Sequence, residues 1–127
     1  MAEGRYPSGV LKLYAYSGCS TCRNAVKWLR SSGIEFVEIA IRETPPTVAE
    51  LSSALAERAG DVRLLFNTSG LDYRSLGLKD KLPGMSQKDA VALLASNGNL
   101  VKRPFAVLPN GKTLVGYKAN EWEAALG

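Results

Sequence analysis

The chain has no histidine and only two cysteines among its 127 residues, and each scarcity removes a class of chemistry. Without histidine there is no Cys-His nucleophile pair, so an activated thiol must be ionised by backbone dipoles, nearby cations or hydroxyl hydrogen bonds. A closed zinc site takes about four protein ligands, and two cysteines alone could build one only between chains, so no metal is expected. Nor can Cys19 and Cys22, three positions apart, supply the disulfide framework of a small secreted domain.

No stretch approaches the roughly 20 apolar residues needed to cross a bilayer, and Met1 to Ser8 is polar where an export signal would be apolar. A soluble, cytoplasmic protein is the expectation. Charge is not concentrated either: 16 basic residues against 12 acidic give a net +4, yet Lys102-Arg103 is the only adjacent basic pair, which argues against nucleic acid as a direct partner. Repeats, low-complexity segments and linkers are also missing. With 46% hydrophobic residues, one domain spanning 1–127 is the expected organisation.

What the sequence does contain is punctuated periodicity. Val10 to Tyr16 alternates and reads as a strand broken by Gly18. From Ser20, residues Cys22, Ala25, Val26 and Leu29 recur at helical spacing until Ser31-Ser32-Gly33. Ile34 to Ile41 gives a second strand, and the helix between the two predicts a parallel βαβ unit. Thr44-Pro45-Pro46-Thr47 then opens a helical block, about 47–97. Its first helix carries Val48, Leu51 and Leu55 and closes at Arg58-Ala59-Gly60.

Short helices follow near Val62 to Asn67 and Asp72 to Leu76, and Pro83-Gly84 separates them from a longer one opened by Ser86. Phe105 to Leu108 and Thr113 to Gly116 flank Asn110-Gly111, a strong hairpin signal, and Glu121 to Leu126 is a closing helix. The order β-α-β, helical block, β-β-α predicts an α/β, thioredoxin-like fold with a mixed four-stranded sheet and an inserted helical block.

The two cysteines fall where the first strand meets the first helix, in Ser17-Gly18-Cys19-Ser20-Thr21-Cys22. Unpaired N–H groups and the helix dipole favour an anion there, and a thiolate is the anion on offer. Free cysteine ionises near pH 8.5, and a helix N-terminus or cation can lower that by one to several units. Arg23 and Arg103 are candidate cations, and Ser20 and Thr21 candidate hydrogen-bond donors. Cys22 shares the apolar helix face and should be shielded while Cys19 is exposed, an asymmetry that suits an attacker and a resolver. Against this stands the simpler possibility that both cysteines are merely small core residues.

Around these residues the chain resembles the arsenate reductase (ArsC) and Spx family of the thioredoxin superfamily. The likeness lies in Tyr14 to Asn24, Lys102-Arg103-Pro104-Phe105 and Val115-Gly116-Tyr117, with order and spacing kept over nearly the whole chain. The resemblance implies that Cys19 holds the catalytic position, that Arg23-Asn24 follow it, and that Pro104 is a cis-proline facing the cysteine loop. It also implies three arginines around an oxyanion. Arg103 matches one, Arg63 a second, and the third position finds only Thr113 or Gly116.

Cys22 departs from the arsenate reductases, which keep a non-cysteine residue there and use external glutathione and glutaredoxin. The function implied is therefore a monomeric thiol-disulfide oxidoreductase without a bound cofactor, reduced by thioredoxin, glutaredoxin or glutathione. The alternatives are an arsenate reductase, or an Spx-like redox-sensing regulator that binds RNA polymerase.

Overall fold

The structure is a computed structural model and describes residues 9–127, so the polar segment Met1 to Ser8 lies outside the described residues. Four strands, β1 (Leu11–Ala15), β2 (Phe36–Ala40), β3 (Phe105–Val107) and β4 (Thr113–Val115), form one sheet in the order β2-β1-β3-β4. β1 runs parallel to β2, while β1 with β3 and β3 with β4 are antiparallel. The parallel pair follows from the helix α1 (Ser20–Ser31) that connects it, because a parallel partner needs a crossover. The antiparallel hairpin follows from Asn110-Gly111: Gly111 takes φ +87° and Leu108 N–H donates to the Lys112 carbonyl at 2.8 Å.

Alternation along β1 divides the interior in two. Leu11, Leu13 and Ala15 point to a core closed by Cys22, Ala25 and Leu29 of α1 and by Trp122 of the last helix. Tyr14 points the other way, with Ile39, Ile41 and Phe105, toward Leu51, Ala54 and Leu55 and the rest of the helical block. Sheet and helices therefore make three layers, and Cys22 is part of the first core.

The helical block holds α2 (Val48–Glu57), α3 (Leu71–Ser75), α4 (Leu78–Lys81) and α5 (Gln87–Ser96), with 3₁₀ turns at Val62–Leu65, Leu82–Gly84 and Gly98–Leu100. α6 (Ala119–Leu126) starts two residues before the expected Glu121 and ends, as expected, at Leu126. α4 is absent from the sequence reading, and Pro83-Gly84 does part the short helices from the longer one, as a 3₁₀ turn between α4 and α5. Gly77, at φ +66°, ends one helical turn and starts the next, and Pro83 sits at the first turn of a 3₁₀ segment where its missing N–H costs no bond. No helix among the described residues is long and apolar enough to cross a membrane.

β1 is tied to α2 by a polar cluster. Thr47 and Glu50 form a capping box at the start of α2, and the Glu50 carboxylate also accepts from the Tyr14 hydroxyl at 2.7 Å and pairs with Lys12. Burial pushes the Glu50 carboxyl up, but Lys12, the Thr47 N–H and the Tyr14 hydroxyl outweigh it and hold it below the ordinary carboxylate value of 4.5. A group depressed in the folded state contributes stability that is complete above the unfolded pKa and fades as pH falls through the folded one. Glu50→Gln should thus lower stability at pH 7 by about 1–2 kcal/mol, with the difference from wild type narrowing below about pH 4. Urea unfolding of both proteins at each pH checks this; a difference that holds constant down to pH 3 contradicts it.

Candidate functional site at the start of the first helix

Cys19 is the N-cap of α1. Its backbone is extended (φ −97°, ψ 119°), and its sulfur accepts from the Cys22 N–H at 3.3 Å, the position a serine or aspartate oxygen takes in an ordinary cap. The cap therefore turns the sulfur toward the orphan N–H groups of the first turn. Upstream, the Cys19 N–H donates to the Tyr16 carbonyl at 3.0 Å, closing the turn through Gly18. A Cβ on Gly18 would come within 2.6–2.9 Å of the Tyr16 ring, so glycine is what lets that ring lie against the cysteine loop.

The two sulfurs differ. Cys22 is 1% exposed and packs with Ala25 and Leu29, whereas Cys19 is only partly covered. Partial burial pushes the Cys19 thiol up, but the Cys22 thiol, the Cys22 N–H, the Arg103 guanidinium and the Thr21 N–H together hold it below the ordinary cysteine value. Burial pushes Cys22 up to about 12. A hydrogen bond to Cys19 and the charge Cys19 carries add to the rise, and the Tyr16 N–H and Arg103 partly offset it. Of the two sulfurs, Cys19 is therefore the one that ionises first, with Cys22 as a thiol donating to it.

The other predicted residues divide. Arg103 stands beside Cys19, and the Arg103-Pro104 peptide bond is cis. β3 accounts for this placement: Phe105 pairs with Tyr14, so two residues further along the ladder Arg103 comes opposite Tyr16, its guanidinium 5.0 Å from that ring's centroid. Thr21 acts through its backbone N–H, and Ser20 is an exposed first-turn residue. Arg23 differs from expectation: its guanidinium donates to the Ser17 carbonyl at 2.9 Å, so it braces the loop and is not among the groups acting on Cys19.

Arg63 is not brought to the site. The segment is a 3₁₀ turn capped by Asp61, which sends Leu65 into the core and leaves Arg63 exposed. The residue of that segment that does reach the Arg103 side is Asn67, whose N–H is held by the Leu100 carbonyl at 2.7 Å. Thr113 is buried, donating to Glu57 at 2.7 Å and accepting from Arg58 at 2.9 Å. Gly116, at φ +73°, carries the carbonyl that accepts from the Trp122 indole N–H at 3.1 Å.

Arg42 is the residue the sequence reading missed. Its guanidinium lies 4.7 Å from the centroid of the Tyr16 ring that Arg103 also meets. The Ile41 N–H donates to the Ala15 carbonyl at 3.0 Å, extending the parallel pairing and setting Arg42 beside Tyr16. A signal existed: in a parallel pair, residues just past both strand C-termini share one edge of the sheet, where open α/β sheets bind ligands. Tyr16, Arg42, Asn67, Asp72, Asn99 and Arg103 line a cavity of about 360 Å³ there.

A mixed four-stranded sheet with a cysteine capping the helix after its first strand, and a cis-proline entering the third, defines a thioredoxin-like protein. More specifically, the chain belongs to the ArsC family, whose model matches residues 14–125. The protein YusI of Bacillus subtilis is 47% identical over 114 residues, covering 89% of this chain and 95% of that one. An arsenate reductase of Rhizobium meliloti is 31% identical over 80% of this chain and 71% of its own, and the regulatory protein MgsR of B. subtilis 29% identical over 87% and 86%. Among solved structures, an ArsC-family-related protein from Bacteroides fragilis superposes with a TM-score of 0.84 at 42% identity, covering 93% of this chain and 98% of that one. These likenesses support a thiol-based redox function.

Proposed function

We propose that the protein is a thiol-disulfide oxidoreductase in which Cys19 attacks and Cys22 resolves. The observation that carries this reading is the opposed ionisation of two neighbouring sulfurs: Cys19 held low at a helix N-terminus, Cys22 pushed to about 12 behind it. The Cys19 thiolate attacks one sulfur of an acceptor disulfide. A Cys19–acceptor bond forms, the acceptor's own S–S bond breaks, and its other half leaves as a thiolate with the electron pair. Cys22 then loses its proton to the departing thiolate or to water and attacks the Cys19 sulfur, releasing the second half. The Cys19–Cys22 disulfide keeps the oxidation, and the acceptor has gained two electrons. An external thiol or dithiol of the glutathione, glutaredoxin or thioredoxin type returns the pair to the reduced state.

The raised Cys22 value has a kinetic consequence. Part of it comes from the negative charge on Cys19, and that charge vanishes once Cys19 is in the mixed disulfide, so the resolving thiol becomes easier to ionise at the step that needs it. Cys22→Ser should remove that step and leave the first attack intact. Mass spectrometry of the variant after mixing with a small disulfide is expected to find a stable adduct on Cys19, where wild type instead accumulates the internal disulfide. An adduct equally long-lived in wild type contradicts the resolving role.

Arsenate reduction is less well supported, since of the three positions the resemblance marks only Arg103 stands by Cys19. A redox-regulatory role is favoured by the likeness to MgsR along nearly the same stretch of chain. Oxidation-dependent capture of RNA polymerase by the purified protein would discriminate that reading from an enzyme.

A further inference from the structure

Arg42 and Arg103 line one cavity and both guanidinium groups lie over the Tyr16 ring, and neither has a carboxylate at ion-pair distance among the described residues. The carboxylate that lines the same space, Asp72, is engaged by the Asn97 side-chain amide at 3.0 Å. Two arginines against one committed carboxylate leave the cavity net positive, and planar guanidinium groups suit a carboxylate or similar anion. At about 360 Å³ the space matches a small organic molecule and is far larger than one water-sized ion. Its position follows from the fold: Tyr16 belongs to both places, its ring lying against Gly18 of the Cys19 loop and also meeting the two arginines that line the cavity.

We propose that this cavity seats an anionic group on the small organic disulfide that Cys19 attacks, with Arg42 as the residue that selects for that group. The inference rests on the reading of Cys19 as the attacking thiolate and adds the substrate class. In the selected step, Cys19 bonds to the sulfur nearer the seated anion, the acceptor's S–S bond breaks, and the distal half departs as a thiolate. Arg103 serves both sites, acting on Cys19 and lining the cavity. Arg42 is distinguished by belonging to the cavity, since it is not among the groups that set the Cys19 ionisation.

The test is a stopped-flow comparison of two aromatic disulfides reacting with the Cys22→Ser protein, in which the reaction halts at the mixed disulfide. Dithiobis(nitrobenzoate) carries carboxylates, and dithiodipyridine is neutral. The ratio of the two rate constants should fall about five- to tenfold in Arg42→Gln, the size of one charge-assisted contact at a half-exposed site. It should be largely retained in Arg42→Lys, and in wild type it should decline with added salt. Lys112→Gln removes one positive charge from the exposed β3–β4 turn and should leave the ratio near that of wild type. A ratio unchanged in Arg42→Gln, or lowered equally by Lys112→Gln, overturns the inference while a fast reaction with dithiodipyridine keeps the thiolate reading intact. If Cys19 reacts with neither disulfide faster than a free thiol, both fail.

Discussion

Cys19→Ser should lower the rate of attack on a neutral disulfide at pH 7 by about three orders of magnitude, to the level at which only Cys22 remains to react. The size follows from Cys22 itself. With its thiol pushed up to about 12, only about one molecule in 10⁵ carries the thiolate at pH 7. Loss of the Cys19 sulfur relieves part of that rise, and a more basic thiolate is a better nucleophile by about half a logarithm for each pKa unit, which together recover one to two orders. Burial then removes access, because Cys22 is 1% exposed beneath the first helical turn. The measurement is thiolate release from dithiodipyridine under pseudo-first-order conditions. A loss under tenfold would mean that the two cysteines are interchangeable, and the division into attacker and resolver would fall.

Gly98→Ala should cost about 3 kcal/mol of stability, the upper range for inserting a methyl group where nothing can give way. A Cβ on Gly98 would lie 1.8 Å from the Ile41 carbonyl oxygen and 2.7 Å from its carbon, and both are backbone atoms in a segment bonded to β1. The 3₁₀ turn Gly98–Leu100 would have to move away from the end of β2, drawing buried Leu100 and Val101 with it. Thermal unfolding should register a fall of about 10 °C for a chain of this length. Because Ile41 precedes Arg42, the surviving folded protein should also lose discrimination between charged and neutral disulfides. A midpoint within 2 °C of wild type contradicts the packing described here. Gly18→Ala makes a useful contrast, since the atoms it meets belong to the tip of the Tyr16 side chain, which can swing aside.

The features legible in the sequence are those with a local cause. Alternation in Leu11 to Ala15, the 3.6-residue recurrence of Cys22, Ala25 and Leu29, and the Asn110-Gly111 turn each encode their element within a few neighbours, and the parallel βαβ pairing follows from chain connectivity. The asymmetry of the cysteines was readable for the same reason: one residue caps a helix, and the other lies one turn inside its apolar face. What escaped depends on contacts far apart in sequence. Arg42 reaches Tyr16 through the β1–β2 register, and Asn67 reaches the cavity through the isolated bridge between Phe66 and Val101. Arg63 drew attention by its charge, yet whether residue 63 or 67 faces the site depends on a tight 3₁₀ turn followed by extended chain, which periodicity does not encode. The Glu50 cluster shows the same limit: Thr47 and Glu50 are recognisable as a capping box, but Lys12 and Tyr14 meet them only across the layers.

Cys19 ionises below the ordinary cysteine value because of where the chain places it. The pH dependence of alkylation by iodoacetamide, followed peptide by peptide, tests it most directly. Cys19 should lose half its reactivity only below the ordinary cysteine range, with that midpoint rising in Arg103→Ala, while Cys22 stays unreactive throughout. A Cys19 profile that coincides with that of an unstructured cysteine peptide, or a Cys22 that alkylates first, would contradict the account.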